Sequence, residues 1–163
     1  MSSIDVREHF VTLFDSYFLP QGLCLYKSLE RHCSPFHLWI VAVDEACETA
    51  LRSLSLEYVT VVRMSEVENS HLLSVKSGRS IGEYCWTLTP FLPSHVFSRK
   101  PDLDRVTYLD ADLFFFESAK PLIEEFVRSG KHVLLTDHAF GPEYMSAMKY
   151  GRFCVQFITF RNT

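Results

Sequence analysis

No two cysteines of this chain are spaced as CxxC, and their number is odd: Cys24, Cys33, Cys47, Cys85 and Cys154. That excludes a thiolate metal site of the usual spacing and a fully paired disulfide framework. The thiols read as small core residues of a reduced, cytoplasmic protein. Long apolar runs are missing too. Nothing approaches the ~20 residues a membrane span needs, and Asp5, Arg7 and Glu8 stand where a signal peptide would be apolar. A basic excess is also absent. The formal net charge is -4, which argues against nucleic acid as a partner, because a phosphate-backbone binder needs a dense cationic face. No internal repeat, low-complexity tract or Pro/Gly/Ser-rich linker divides the 163 residues. One domain, or one and a piece, is expected.

What the chain does have is apolar material: 47% hydrophobic residues, with 14 Phe and 7 Tyr, enough for a proper core. "HFVTLF" (9–14) reads as a first strand. Pro20 opens a helix whose Leu25, Leu29 and Cys33 recur at spacing four, and Ser34-Pro35 closes it. "FHLWIVAV" (36–43) is apolar nearly throughout, as in a strand covered on both faces. Asp44 caps a helix with Cys47, Ala50, Leu51 and Leu54 as its stripe. "YVTVVRM" (58–64) is a third strand. This β-α-β-α-β order predicts an α/β fold with a mostly parallel sheet and helices on both faces.

The polar segment 64–80 carries no clear period. "IGEYCWTLTPFLPSHVF" (81–97) reads as a helix kinked at Pro90 and disturbed again at Pro93. "DRVTYL" (104–109) is a fourth strand and "LFFF" (113–116) a short further one. Ser118 is expected to cap a helix with Leu122, Ile123, Phe126 and Val127 inward, stopped by Gly130. "KHVLLTD" (131–137) and "RFCVQFITF" (152–160) are the last strands.

Between the fourth strand and "LFFF" lie Asp110 and Asp112. Unpaired carboxylates are costly to bury, yet these stand beside apolar runs at the end of a core strand. In α/β sheets ligands bind beyond the carboxyl ends of the strands. Two such carboxylates can converge on one hard cation, Mn²⁺ or Mg²⁺, which keeps open positions for phosphate oxygens. A pair of solvated acids in a tight turn is the plainer alternative.

"VTYLDADLFFF", preceded by the β-α-β-α-β half and a Tyr-containing helix, resembles the family 8 glycosyltransferases. That group includes glycogenin and the lipopolysaccharide galactosyltransferases. The resemblance implies the GT-A fold, a Rossmann-like nucleotide-diphosphosugar domain. It also implies that Asp110 and Asp112 hold Mn²⁺ against the diphosphate of the donor, with a UDP-sugar favoured. By the same resemblance "FDSY" (Phe14, Asp15, Ser16, Tyr17) is the turn that touches base and ribose, although Asp15 or Ser16 could equally cap a helix. Tyr84, Trp86 and Thr89 would line the nucleotide pocket, Trp86 having a core position as its alternative. Arg79 could reach phosphate or sugar, or stand on the surface. Asp137 falls where the family places a carboxylate that binds sugar hydroxyls.

Two departures stand out. Where the family has Asn-x-Gly on the last strand seen here, this chain has Cys154-Val155-Gln156. The histidine that completes the family's metal site has no match, His138 included. Residues 1–163 are therefore expected to be the donor-binding N-terminal part of a transferase, with the acceptor side absent and the acceptor itself unspecified. Two other readings remain. One is a nucleotide-sugar-binding domain without turnover. The other is a haloacid-dehalogenase-like phosphatase, which also carries Asp-x-Asp after an apolar strand.

Overall fold

A computed structural model describes residues 7–163. Strand β1 (Glu8–Phe14) is buried along almost its whole length. Helix α1 (Leu19–His32) begins with a proline in its first turn, where the missing N–H costs nothing. Strand β2 (Phe36–Ala42) follows. Helix α2 (Glu45–Leu54) is capped by the Asp44 carboxylate, which accepts the Cys47 N–H at 2.7 Å. Strand β3 (Val59–Arg63) completes the first half.

The polar segment 64–80 folds into two short helices, α3 (Met64–Val67) and α4 (Ser70–Lys76). They are too short to show a helical period, but each hides one side chain, Val67 or Leu72. The expected kinked helix is two helices, α5 (Ile81–Leu88) and α6 (Phe91–Arg99), parted at Thr89-Pro90. Ser80 and Glu83 form a capping box at the start of α5. Pro93 disturbs nothing, because it falls in the first turn of α6, where no intrahelical N–H bond is lost.

Strand β4 (Arg105–Leu109), helix α7 (Lys120–Ser129), strand β5 (Val133–Asp137), a 3₁₀ segment (Pro142–Tyr150) and strand β6 (Phe153–Arg161) complete the described chain. The six strands lie in the order β3-β2-β1-β4-β6-β5. The first four run parallel, and β6 is antiparallel to both its neighbours.

Residues 113–116 are not a strand. Both edges of β4 are already taken, by β1 and β6, so a strand continuing there has no partner. The chain turns instead, with the Leu113 N–H donating to the Asp110 carbonyl. Phe115 packs against Phe10 and Phe157. Ser118 stands one residue outside the helix it was expected to cap; its hydroxyl accepts the Lys120 N–H at 3.2 Å and Ala119 is the capping residue. Only Ile123 and Phe126 of the expected stripe are buried, while Leu122 and Val127 are exposed.

Two apolar clusters flank the sheet. One joins Phe10, Phe14, Leu38 and Leu109 to α1, α2 and α7. The other joins Val11, Trp39, Val106 and Tyr108 to α3 through α6. Covered on both faces, the parallel strands have their carboxyl ends as the open part of the sheet.

Candidate functional site

At the carboxyl end of β1 the chain turns through Asp15 to Phe18. The Asp15 carboxylate accepts the Phe18 N–H at 3.0 Å. Ser16 donates both its N–H and its hydroxyl to Asp44, at 2.8 and 3.0 Å. Burial alone would raise the Asp44 carboxyl, but the bonds from Ser16 and Cys47 hold it below the ordinary range. This acid therefore clamps the turn after β1 to the start of α2. Phe14 stays in the core against Gly22 of α1, where a Cβ would overlap its ring.

One strand away, β4 ends in the carboxylate pair. The Asp110 N–H donates to the Gln156 carbonyl at 2.9 Å, which ties the turn to β6. Its carboxylate accepts the Tyr108 hydroxyl at 2.7 Å. Asp110 is half-buried and Asp112 is exposed. Burial raises the Asp110 carboxyl above the ordinary value; the Tyr108 bond opposes this and the nearby Asp112 charge adds to it. The Tyr108 phenol is itself pushed up, chiefly by burial and by the Asp110 charge.

Helix α5 supplies the facing wall. Phe14, Asp15, Trp86, Thr89, Asp110 and Asp112 line one cavity of about 510 Å³. Six of the eleven residues singled out in the sequence therefore meet there. Trp86 is 75% exposed, so its core reading is excluded, and its ring is available at the cavity wall. The other five lie elsewhere. Ser16 is spent on Asp44, and Tyr17 is 81% exposed, away from the cavity lining. Tyr84 and Arg79 line a neighbouring cavity of about 320 Å³, which shares Asp15 and Ile81 with the first. The buried Tyr84 hydroxyl donates to Glu68 at 2.9 Å, and Arg79 is bonded to the Thr87 hydroxyl. Asp137 ends β5 but is paired with Arg152 at 3.0 and 3.1 Å and does not line either cavity.

Sequence reasoning passed over Tyr108, Cys85, Ile81 and Gly82, all of which line the larger cavity. Two signals point to them. Ile81, Cys85 and Thr89 share one helical row, with Gly82 and Trp86 on the next. Tyr108 lies two residues before Asp110, on the same face of the strand.

The donor chemistry is all hard oxygen: Asp110 and Asp112, with Asp15 across the cavity. That suits Mg²⁺ or Mn²⁺ over softer ions. Among the described residues no three His, Cys, Asp or Glu side chains form a group that could hold a metal ion. A cation here would need further oxygens from a ligand or water. Among the same residues no helix is long and apolar enough to cross a membrane.

No protein-family model matches the chain. It is 35% identical over 156 residues to YfnD, an uncharacterized protein of Bacillus subtilis (strain 168), covering 95% of this chain and 50% of that one. It is 37% identical over 106 residues to the uncharacterized YfnF of the same organism, covering 65% and 35% respectively. The chain thus spans half the length of one curated relative and about a third of the other. Among solved structures it is similar to mouse xyloside xylosyltransferase 1, with a TM-score of 0.64 and 16% identity, over 96% of this chain and 68% of that one. The galactosyltransferase LgtC, solved with donor and acceptor sugar analogs, gives 0.62 and 16% over 94% and 58%. A CMP:2-keto-3-deoxy-manno-octonic acid synthetase complexed with CTP gives 0.53 and 11% over 96% and 74%. The fold is the GT-A arrangement, a mostly parallel sheet with helices on both faces. Proteins of different chemistry share it, so the reaction has to be argued from the site.

Proposed function

We propose that this chain is the donor-binding part of a metal-dependent glycosyltransferase, taking a nucleotide-diphosphosugar, with a UDP-sugar favoured. The observation that carries this is the meeting of Asp110 and Asp112 with Phe14, Asp15, Trp86 and Thr89 in one cavity of about 510 Å³. The cavity has an acidic end and an aromatic wall, and it lies beyond the carboxyl ends of β1 and β4. Asp110 and Asp112 would hold Mn²⁺ or Mg²⁺ at the acidic end. When bound, such an ion neutralises the diphosphate and stabilises charge on the leaving group. Trp86 offers a ring face to base or sugar, and Asp15 can accept from a ring N–H or a ribose hydroxyl. Arg79 and Tyr84, in the adjoining cavity, extend the same surface.

A binding domain without turnover is the second reading. It is favoured by Asp137, whose carboxylate is held by Arg152 instead of lining the cavity, and by Gln156 at the position where a family member carries glycine. Product analysis separates these two and the phosphatase. A transferase releases nucleoside diphosphate from a UDP-sugar, a binding domain releases neither sugar nor nucleotide, and a phosphatase frees phosphate from monoesters.

The primary test is a thermal-shift screen of nucleoside diphosphates with and without Mn²⁺, followed by calorimetry. Ligand at 100 times its dissociation constant should stabilise the fold by about 2.7 kcal/mol. UDP should do so only when Mn²⁺ is present. Equal shifts with and without the metal would overturn the metal assignment.

A further inference from the structure

Tyr108 is 4% exposed, and its hydroxyl donates to Asp110 Oδ1 at 2.7 Å. A buried phenol needs a hydrogen-bond partner, and a half-buried carboxylate needs a donor. The pair meets both needs, which by itself is only a structural role. Two further observations go beyond it. Tyr108 and Asp110 both line the larger cavity. Tyr108 is also gripped from behind by the cluster that contains Leu88, Leu92 and Val106, so its ring cannot follow a mobile carboxylate.

On the reading that the carboxylate pair takes a divalent cation, we propose that Tyr108 is the positioning residue of that site. The phenol occupies Oδ1 of Asp110, fixes the plane of the carboxylate, and presents the remaining oxygen to the ion. Asp112, exposed on the turn, has no comparable buried anchor and adjusts to whatever ion Asp110 has oriented. Groups that orient a metal's ligands typically contribute 10–100-fold to metal affinity. The phenylalanine variant keeps the ring and its packing and removes only this bond.

The test measures Mn²⁺ affinity in the presence of UDP from the paramagnetic resonance signal of free Mn²⁺, with circular dichroism as the check on the fold. Tyr108→Phe should weaken Mn²⁺ at least tenfold while the circular dichroism spectrum stays that of the parent. Mn²⁺ affinity unchanged by Tyr108→Phe overturns the proposal and leaves the metal site standing. Absence of Mn²⁺-linked UDP binding in the unmutated chain overturns both. A second measurement needs no variant at position 108. With ¹³Cζ-labelled tyrosine, adding Mg²⁺ and UDP should move one tyrosine resonance, and Asp110→Asn should abolish the movement. No moving resonance overturns the proposal.

Discussion

Asp110 is held in a place that suits a proton better than a negative charge. Burial raises its carboxyl, the Tyr108 bond only partly offsets this, and Asp112 adds to the rise. A carboxyl raised in the folded state binds protons more tightly there than in the unfolded chain. Stability therefore falls as pH climbs from the ordinary carboxylate range through the raised value. Asp110→Asn, which can still accept from Tyr108, should raise the melting temperature of the metal-free protein at neutral pH. The gain should vanish below the ordinary carboxylate range, and a gain equal at all pH values would show a different cause. The same substitution, and Asp112→Asn, should each abolish Mn²⁺-dependent UDP binding in calorimetry while the circular dichroism spectrum stays that of the parent. Unchanged affinity in both would remove the carboxylates from the site.

Helix α1 approaches β1 so closely that Gly22 touches the Phe14 ring, and a methyl group there has no room. Gly22→Ala should cost about 1–3 kcal/mol in urea unfolding, the usual range for overpacking. Because Phe14 also lines the cavity, the displaced ring should weaken UDP as well. Gly82 in α5 meets nothing within 4 Å, so Gly82→Ala should stabilise by roughly 0.5–1 kcal/mol through helix propensity. The elements themselves were readable because period and punctuation agree: spacing four in α1, the Asp44 cap of α2, Gly130 after α7. The misread strand at 113–116 and the unread segment 64–80 have one source, which is dependence on partners. "LFFF" has strand composition but no free strand to pair with, and the helices of 64–80 are held by single buried side chains. At the site, Asp110, Asp112, Phe14, Asp15, Trp86 and Thr89 could be chosen by residue type and place. The hydroxyl partner of Tyr108 could not be foreseen: its place on the face of Asp110 is legible, but a tyrosine inside an apolar strand looks like core until that partner is seen. Nor could the partner of Asp137 be foreseen. Arg152 reaches it only because β5 pairs with β6 and brings Asp137 beside Phe153.

The sheet as a whole is finished unevenly. Its middle is covered on both faces, but β5 lies at one edge with Val133 and Leu135 half-exposed. The neighbouring 3₁₀ segment buries none of its side chains. An edge strand with apolar side chains is a template for pairing. Sedimentation velocity should show a coefficient that rises with protein concentration, and Leu135→Lys should flatten that rise without lowering the melting temperature. A flat profile in the parent would mean that this edge is inert. The antiparallel strand β6 carries another consequence, which concerns time. Strands β1, β2 and β3 pair with one another close along the chain, whereas both partners of β4, β1 and β6, are distant in sequence: its Thr107 lies beside Phe10 on one side and Thr159 on the other. Contacts distant in sequence form late, because the intervening loop must first be closed. The turn that carries the two acids is anchored by the bond from the Asp110 amide to Gln156, so it should set only when the last strand docks. In pulsed hydrogen exchange during refolding, the β1 and β2 amides should gain protection first and the Asp110 amide in a later phase. Protection of all of them in a single phase would rule that order out.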